Sequence, residues 1–165
     1  MEASLQRLLD EAAIKDLQIR YCRGIDRMDW DLVRSCYHPD AIDDHGDYVG
    51  GIDGFIDYCK AGTPNFEGTT HFTGNQLVKV EGDAAWAEHH AIAFHRVPAG
   101  PNGPAKDLIT VGRYVDRVER RNSEWRLIKR VVIVDSERVE LAGEGWVNPV
   151  LLRGRRDKSD PSYSE

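Results

Sequence analysis

The hydrophobic pattern of this 165-residue chain changes period near Thr70, and this change constrains the fold more than any other feature. Before Thr70, apolar residues recur mostly at three- and four-residue spacing, which is typical of one face of a helix. The residues of this face are Leu5, Leu8, Leu9, Ala12, Ala13, Leu17, Tyr21 and Ile25. After Thr70, apolar and polar residues alternate, as they do in half-buried strands. Helices followed by consecutive strands predict an α+β protein.

Three helices are predicted in the first half. Asp10 is a candidate N-cap for the strongest part of the first helix. The second helix is predicted to begin after Asp29 and to end at His38, because Pro39 disfavours helical geometry at the residue before it. The third is predicted over residues 51–60, after a short strand pair over residues 41–48.

Four long strands are predicted in the second half, over residues 70–80, 84–97, 107–120 and 124–137. Short turn sequences join them, so neighbouring strands are expected to be antiparallel. The predicted fold is a cone-shaped, curved, mixed or antiparallel sheet with the N-terminal helices packed over an internal cavity. One domain is expected over residues 1–150, and the polar tail over residues 151–165 is expected to be disordered.

The strand over residues 84–97 has one bulky face and one small face. The bulky face carries Trp86, Glu88, His90, Ile92, Phe94 and Arg96, and the small face carries Ala87, His89, Ala91, Ala93 and His95. We expect the bulky face to line the cavity. The small face is then exposed and suited to close packing against a second copy of the chain.

Charge, cysteine spacing and hydropathy exclude several classes of function. The chain has 28 acidic and 22 basic residues and a net charge of −6, which does not favour nucleic acid binding. No apolar run approaches the ~18 residues of a membrane span. Cys22, Cys36 and Cys59 are widely spaced, which argues against a disulfide framework and fits a cytoplasmic protein. No secretory signal is apparent at the N-terminus.

Three segments resemble the motifs of a known superfamily. They are YCRGIDRMDWDL over residues 21–32, THFTGN over residues 70–75 and WRLI over residues 125–128. Their order and spacing resemble those of SnoaL-like proteins of the NTF2-like superfamily, over roughly residues 10–140. Within it, the chain is most similar to the dehydratase branch, which includes scytalone dehydratase, bile acid 7α-dehydratase and lindane dehydrochlorinase. Some recognition residues of these enzymes are replaced here, for example by Ile25, Asp44 and Val134.

The resemblance implies a catalytic pair of Asp26 and His71, with Tyr21 as a third catalytic residue. Such a pair can remove a proton from an activated carbon, because histidine is a base near neutral pH and a carboxylate fixes its tautomer. We expect a hydrogen bond of roughly 2.7–3.2 Å between the two side chains. Without the resemblance, Asp26 reads as a helix cap or solvated charge, and His71 as a surface residue.

The hydroxyl group of Tyr21 is expected to polarise a substrate oxygen or to protonate the leaving group. The expected substrate-binding residues are His90, Phe94, Arg96, Tyr114 and Tyr48. Which of the tyrosines supplies the acid stays open.

No cofactor and no metal are expected. His89 and His90 point to opposite sides of a strand, and His89 and His95 are ~20 Å apart along it. The acidic segment around Asp43 and His45 is interpreted as a polar hairpin rather than a metal cluster.

The sequence therefore predicts a cofactor-independent lyase acting on a small, hydrophobic, oxygenated ring compound, such as an aromatic, polyketide or steroid-like molecule. It would expel water or another small group such as formaldehyde. The alternatives are an isomerase or cyclase with the same base, and a non-catalytic binding or assembly subunit like the small subunit of a ring-hydroxylating dioxygenase. No nucleic acid or membrane partner is expected. A homo-oligomer is expected, and a trimer is favoured over a dimer.

Overall fold

The computed structural model describes residues 2–101, 103–143 and 150–164. Within these ranges the chain forms three α-helices and six strands. In chain order they are α1 (Glu2–Asp26), α2 (Trp30–Ser35), β1 (Tyr37–Asp44), β2 (Val49–Gly51), α3 (Ile52–Gly62), β3 (Gly68–Glu81), β4 (Ala84–Val97), β5 (Lys106–Arg121) and β6 (Glu124–Leu141). Short 3-10 turns follow α3, at Thr63–Asn65, and lie in the C-terminal tail, at Pro161–Tyr163.

The six strands form one curved, unclosed sheet in the order β2-β1-β6-β5-β4-β3. β3 to β6 are an antiparallel meander, and β1 joins it by pairing parallel to β6. The helices pack on one face of the sheet, where the hydrophobic core lies. The predicted α+β class, with N-terminal helices over a curved mixed sheet, is confirmed.

The second helix ends three residues earlier than predicted. α2 stops at Ser35, and Pro39 lies inside β1 rather than at a helix boundary. A strand tolerates a proline where its backbone N–H is not needed for pairing. The pairing of β1 with β6 is irregular between Tyr37 and Ile42, and Pro39 occupies this interruption.

Asp10 is not the N-cap that the sequence suggested, because α1 already begins at Glu2. Its buried carboxylate instead accepts hydrogen bonds of 2.9 Å from the indole of Trp125 and from Arg120. These bonds tie the middle of α1 to β5 and β6. The first two turns project beyond this contact. Three residues of the apolar face predicted for this helix, Leu5, Leu8 and Leu9, are therefore more than half exposed.

The two faces of β4 alternate as predicted, but the assignment of the faces was wrong. Ala87, Ala91 and His89 are buried under the helices, whereas His90 and Ile92 are exposed on the outer face. Small side chains leave room for the large residues of the core, so the small face is the inner one. It is therefore not available to a second copy of the chain.

The C-terminal tail, expected to be disordered, lies against the domain where the structure describes it. Arg156 donates to the carbonyl oxygens of Thr63 and Phe66, at 3.2 and 2.6 Å. Asp160 is buried near Arg27, and Tyr163 donates to Asp29. Polar side chains anchor this segment, so hydrophobic patterning did not reveal the contacts. The expected domain boundary at 150 adjoins residues outside the described ranges.

Two further features concern the cysteines and the helices. Cys22, Cys36 and Cys59 are all buried free thiols. Within the described ranges, none of the helices has the length and apolar character needed to cross a bilayer.

Candidate functional site

Asp26 and His71 meet where the last turn of α1 crosses β3. Asp26 Oδ1 lies 2.7 Å from Nδ1 of His71, and Asp26 Oδ2 accepts the backbone N–H of His71 at 2.9 Å. Both side chains are almost fully buried. A carboxylate at Nδ1 places the imidazole proton on that nitrogen. Nε2 then carries the free lone pair, and it has no hydrogen-bonding partner among the residues described.

The end of α1 fixes the position of Asp26. Asp29 N–H donates to the carbonyl oxygen of Gly24 at 2.8 Å, and Met28 N–H donates to that of Ile25 at 3.1 Å. These are the two bonds of a Schellman motif, and Met28 takes the left-handed conformation that the motif requires, with φ of 51°. Asp29 then caps α2. The chain turns sharply here, and Asp26 remains in the last helical turn facing β3.

His95 is the nearest histidine to the pair, and the sequence did not single it out as a site residue. Its ring lies 5.6 Å from that of His71, edge to face, and 4.8 Å from Phe66. Burial, and then the neighbouring His71, lower the pKa of His95 to about 4. His95 is therefore neutral near pH 7 and adds no positive charge beside His71.

A pocket of about 280 Å³ opens beside the pair. Its lining residues are Ile19, Cys22, Arg23, Asp26, Arg27, His71 and Thr73. This volume approaches the lower end of the range for small-molecule sites. A larger groove of about 460 Å³ elsewhere on the sheet is lined in part by Lys79, Trp86 and Arg117, but by no histidine. We place the candidate site at the smaller pocket, because only that one reaches an acid-base pair.

A second histidine–aspartate pair lies in the β1–β2 hairpin. Nδ1 of His45 is in close contact with Oδ1 of Asp43, whose other oxygen accepts the hydroxyl of Tyr37 at 2.5 Å. The other imidazole nitrogen, Nε2, lies 3.2 Å from the hydroxyl oxygen of Tyr21 on α1. Phe55 of α3 stacks on the imidazole at 4.6 Å. The segment interpreted as a polar hairpin thus reaches the interior of the domain.

A buried ion pair lies under Tyr21. Arg130 binds Asp116 through two hydrogen bonds of 2.8 Å, and both side chains are fully buried. The guanidinium carbon is 4.1 Å from the ring centre of Tyr21 and 4.5 Å from that of Tyr114. Nη1 of Arg130 and both imidazole nitrogens of His89 are buried without a hydrogen-bonding partner in the described chain. The interior therefore contains polar groups without partners beside its aromatic rings.

The expected substrate-binding residues separate into two groups. Tyr114 lies in the interior, 5.9 Å from Tyr21 between ring centres. His90, Phe94 and Arg96 do not line this interior, because they lie on the outer face of β4, where Arg96 pairs with Asp107. Tyr48 lies at the junction of the hairpin with α3, and its hydroxyl donates to the carbonyl oxygen of Gly51.

The wrong assignment of the two faces of β4 explains why most of the buried polar residues were not predicted. His89 and His95 were assigned to the exposed face, so they were considered only as metal ligands. Within the residues that the structure describes, no group of three histidine, cysteine or acidic side chains is arranged to hold a metal ion. Arg130 was not identified from the sequence either, because its position opposite Asp116 follows from the register of β5 with β6.

Comparisons with known proteins agree with this architecture. The sequence profile of the SnoaL-like domain matches residues 6–131. The "Uncharacterized protein Rv2910c" of Mycobacterium tuberculosis is 31% identical over 133 residues, covering 78% of this chain and 87% of that protein.

Two solved structures share the fold at lower identity. Hexachlorocyclohexane dehydrochlorinase LinA-type3 of Novosphingobium barchaimii is 22% identical with a TM-score of 0.76, over 88% of this chain and 99% of that one. A protein of Novosphingobium aromaticivorans with a provisional scytalone dehydratase assignment is 19% identical with a TM-score of 0.73, over 89% and 97%. Since the profile match spans most of the sequence, the chain belongs to the SnoaL-like domain family.

Proposed function

We propose that this protein is a cofactor-independent lyase in which His71 removes a proton from an activated carbon of the substrate. The observation that carries the proposal is the 2.7 Å contact between Asp26 and Nδ1 of His71, with Nε2 left free beside a pocket. An imidazole held in this way is a positioned general base. A buried carboxylate also stabilises the imidazolium that forms when the base accepts a proton.

The elimination needs one base and one acid. Nε2 of His71 takes the proton, the electron pair of the C–H bond forms the new double bond, and the adjacent C–O bond breaks. Tyr21 supplies a proton to the departing oxygen, which leaves as water. Tyr21 lies five residues before Asp26, about 7.5 Å along the helix axis and ~140° around it. It does not line the pocket beside His71, so the substrate must extend from that pocket into the interior where Tyr21 lies. Burial, and then the neighbouring Tyr37, raise the pKa of Tyr21 well above its usual value, which keeps the hydroxyl protonated.

We infer that the substrate is a hydrophobic, oxygenated ring compound of the aromatic, polyketide or steroid-like class. Aromatic side chains supply the apolar surface of the interior. Arg130 does not line the pocket, but a substrate oxygen that reached the interior would satisfy its unpaired Nη1, and an unpaired buried donor costs about 1–3 kcal/mol. LinA-type3 is named for the loss of hydrogen chloride from hexachlorocyclohexane, and elimination of water or formaldehyde can use the same kind of base.

An isomerase or cyclase is the second candidate, because enolisation uses His71 without a leaving group. A non-catalytic binding subunit is disfavoured, because such a protein has no need of a buried histidine–aspartate pair open to a pocket.

The test compares wild type with His71→Ala and Asp26→Asn on a panel of hydroxylated aromatic, polyketide and steroid compounds. New conjugation is followed by absorbance. We expect kcat/KM to fall at least ~10²-fold in both variants. His90→Ala is the matched control, because this exposed histidine lies on the outer face. Circular dichroism checks folding. Turnover that survives in His71→Ala would contradict the assignment of the base, and product without elimination would favour the isomerase.

A further inference from the structure

The β1–β2 hairpin places a second ionisable pair against the hydroxyl group that the proposed reaction uses as its acid. Asp43 is fully buried and receives hydrogen bonds from Tyr37 and His45. The side chain of His45 is 19% exposed, so it has access to solvent. Tyr21, in contrast, is 1% exposed. His45 therefore lies between water and a buried hydroxyl group.

We propose that Asp43, His45 and Tyr21 form a proton relay that recharges Tyr21 as the general acid. This inference rests on the proposed function, since it concerns the acid half of the same elimination. His45 acts through Tyr21 and is a positioning and proton-transfer residue that does not contact the substrate.

The direction of the hydrogen bonds gives the relay two states. With Asp43 at Nδ1, a neutral His45 carries its proton on that nitrogen, and Nε2 accepts the hydroxyl hydrogen of Tyr21. In this state Tyr21 has no hydrogen left to donate to a substrate. When Nε2 takes up a proton, it becomes a donor to the Tyr21 oxygen, and the hydroxyl hydrogen is free to point inward.

The proton inventory balances in the second state. The departing substrate oxygen takes the hydroxyl proton of Tyr21, and Tyr21 takes the Nε2 proton of His45 as the C–O bond breaks. His45 is left neutral with its Nδ1 proton held by Asp43, while His71 holds the proton removed from carbon. Solvent then takes one proton from His71 and returns one to His45, so that no co-reactant is needed.

The charged and ionisable groups around Tyr21 favour a neutral hydroxyl rather than a tyrosinate. Burial has the largest effect on the pKa of this hydroxyl, and Tyr37, Tyr114 and Asp43 act in the same direction, whereas Arg130 on β6 opposes them. Phe55 of α3 packs on His45 from the other side. A proton lost from Tyr21 is thus replaced at once, and the histidine in contact with its oxygen is the closest source.

The relay can be distinguished from a purely structural role of the hairpin by comparing a leaving group that needs a proton with one that does not. Two probes share the same acidic carbon and the same enone product: 4-hydroxy-4-phenylbutan-2-one and its 4-(4-nitrophenoxy) counterpart. The first must expel hydroxide with help from an acid, whereas nitrophenolate leaves unaided. The change is His45→Gln, which keeps a hydrogen-bonding amide near the position of Nε2 but cannot titrate.

We expect His45→Gln to lose ~10²-fold in kcat on the hydroxyl probe and less than about threefold on the nitrophenoxy probe. His71→Ala should lose activity on both probes, because both need the base. Asp47→Asn is the control for the hairpin, since this exposed residue of the same turn lies outside the relay, and should leave the ratio of the two rates unchanged. Equal losses of His45→Gln on both probes would overturn the relay.

A measurement without substrate tests the contact independently. The ¹⁵N resonances of the His45 imidazole are recorded in wild type and in Tyr21→Phe. We expect wild-type His45 to carry its proton on Nδ1, and the Nε2 resonance to move when its hydroxyl partner is removed. An unchanged Nε2 resonance would contradict the relay, and this result would stand whether or not the probes are turned over. If wild type turned over neither probe but the Nε2 resonance still moved in Tyr21→Phe, the result would count against the proposed function and not against the contact between His45 and Tyr21.

Discussion

His89 and His95 are buried bases on the inner face of β4, and neither forms a hydrogen bond through Nδ1 within the part of the chain described. Burial, and then the charge of Arg130, lower the pKa of His89 to about 3 from an ordinary value of 6.5. Burial likewise lowers the pKa of His95 to about 4. Both residues are therefore neutral in the folded protein over most of the acidic range, whereas they become protonated in the unfolded chain.

This difference predicts acid instability. The stabilisation is complete above about pH 6.5 and is lost as the pH falls below that value, because only the unfolded chain takes up protons there. Each histidine contributes a slope of about 1.4 kcal/mol per pH unit to the free energy of unfolding. Urea titrations between about pH 7.5 and pH 4.5 measure this slope. We expect His89→Gln to reduce the slope of the free energy of unfolding against pH by the contribution of one proton, about 1.4 kcal/mol per pH unit.

The control is His90→Gln, since the next residue along β4 is exposed on the outer face. The slope of that variant should match wild type. A His89→Gln variant that keeps the full slope would contradict proton uptake at this position.

At this scale, the sequence predicted the contact between Asp26 and His71 only through the family resemblance. Nothing in a spacing of 45 residues indicates that a helix end will meet a strand start. The contact of His45 with Tyr21 was not predicted, because it depends on how the hairpin folds back towards α1. Arg130 was not predicted as a buried residue, because its ion pair with Asp116 depends on the register of two strands and on which face the helices cover.

At the scale of elements, β5 and β6 approach each other closely at Gly112. A Cβ atom at this position would lie 2.3 Å from the carbonyl oxygen of Ile133, and the strand register shifts between Val111 and Gly112. The carbonyl group of Ile133 belongs to the backbone, so it cannot move out of the way as the end of a flexible side chain can. The two central strands of the meander would have to separate locally to admit a methyl group.

We therefore predict that Gly112→Ala destabilises the protein by about 2 kcal/mol or more, within the range for overpacked interiors. Gly74→Ala is the matched control, because Gly74 also lies in a strand and a Cβ atom there would have nothing within 4 Å. Its free energy of unfolding should stay within about 0.5 kcal/mol of wild type. Chemical denaturation of the three proteins measures both values. Equal stability of the two variants would show that the close approach relaxes freely.

The strand boundaries were predictable because the turns have strong local signals. Gly82 and Asn122 take positive φ angles at two of the hairpins, as turn residues of these types often do. The face of β4 that is covered was not predictable in the same way. Alternation shows which residues share a face, whereas the helix that covers one of them is determined by packing across the whole domain.

At the scale of the whole molecule, the outer face of the sheet is the exposed surface available for association. Phe72 and Ile92 are directly paired across β3 and β4, and their side chains are 72% and 46% exposed. Val111 of β5 pairs with Ile92 in the next strand. A contiguous apolar patch on a sheet face is typical of an interface between subunits. The expected homo-oligomer, with a trimer ahead of a dimer, is therefore proposed to form through this face and not through the alanines of β4.

We predict that Phe72→Glu dissociates the assembly, because an unpaired charge at the centre of an apolar interface is costly to desolvate. Light scattering at micromolar concentration should give a multiple of the 18.7 kDa chain mass for wild type and the monomer mass for the variant. Leu8→Glu is the control, since Leu8 is 63% exposed on α1, away from the sheet. Dissociation by Leu8→Glu alone would move the interface to the projecting end of α1, and a monomeric wild type would contradict assembly altogether.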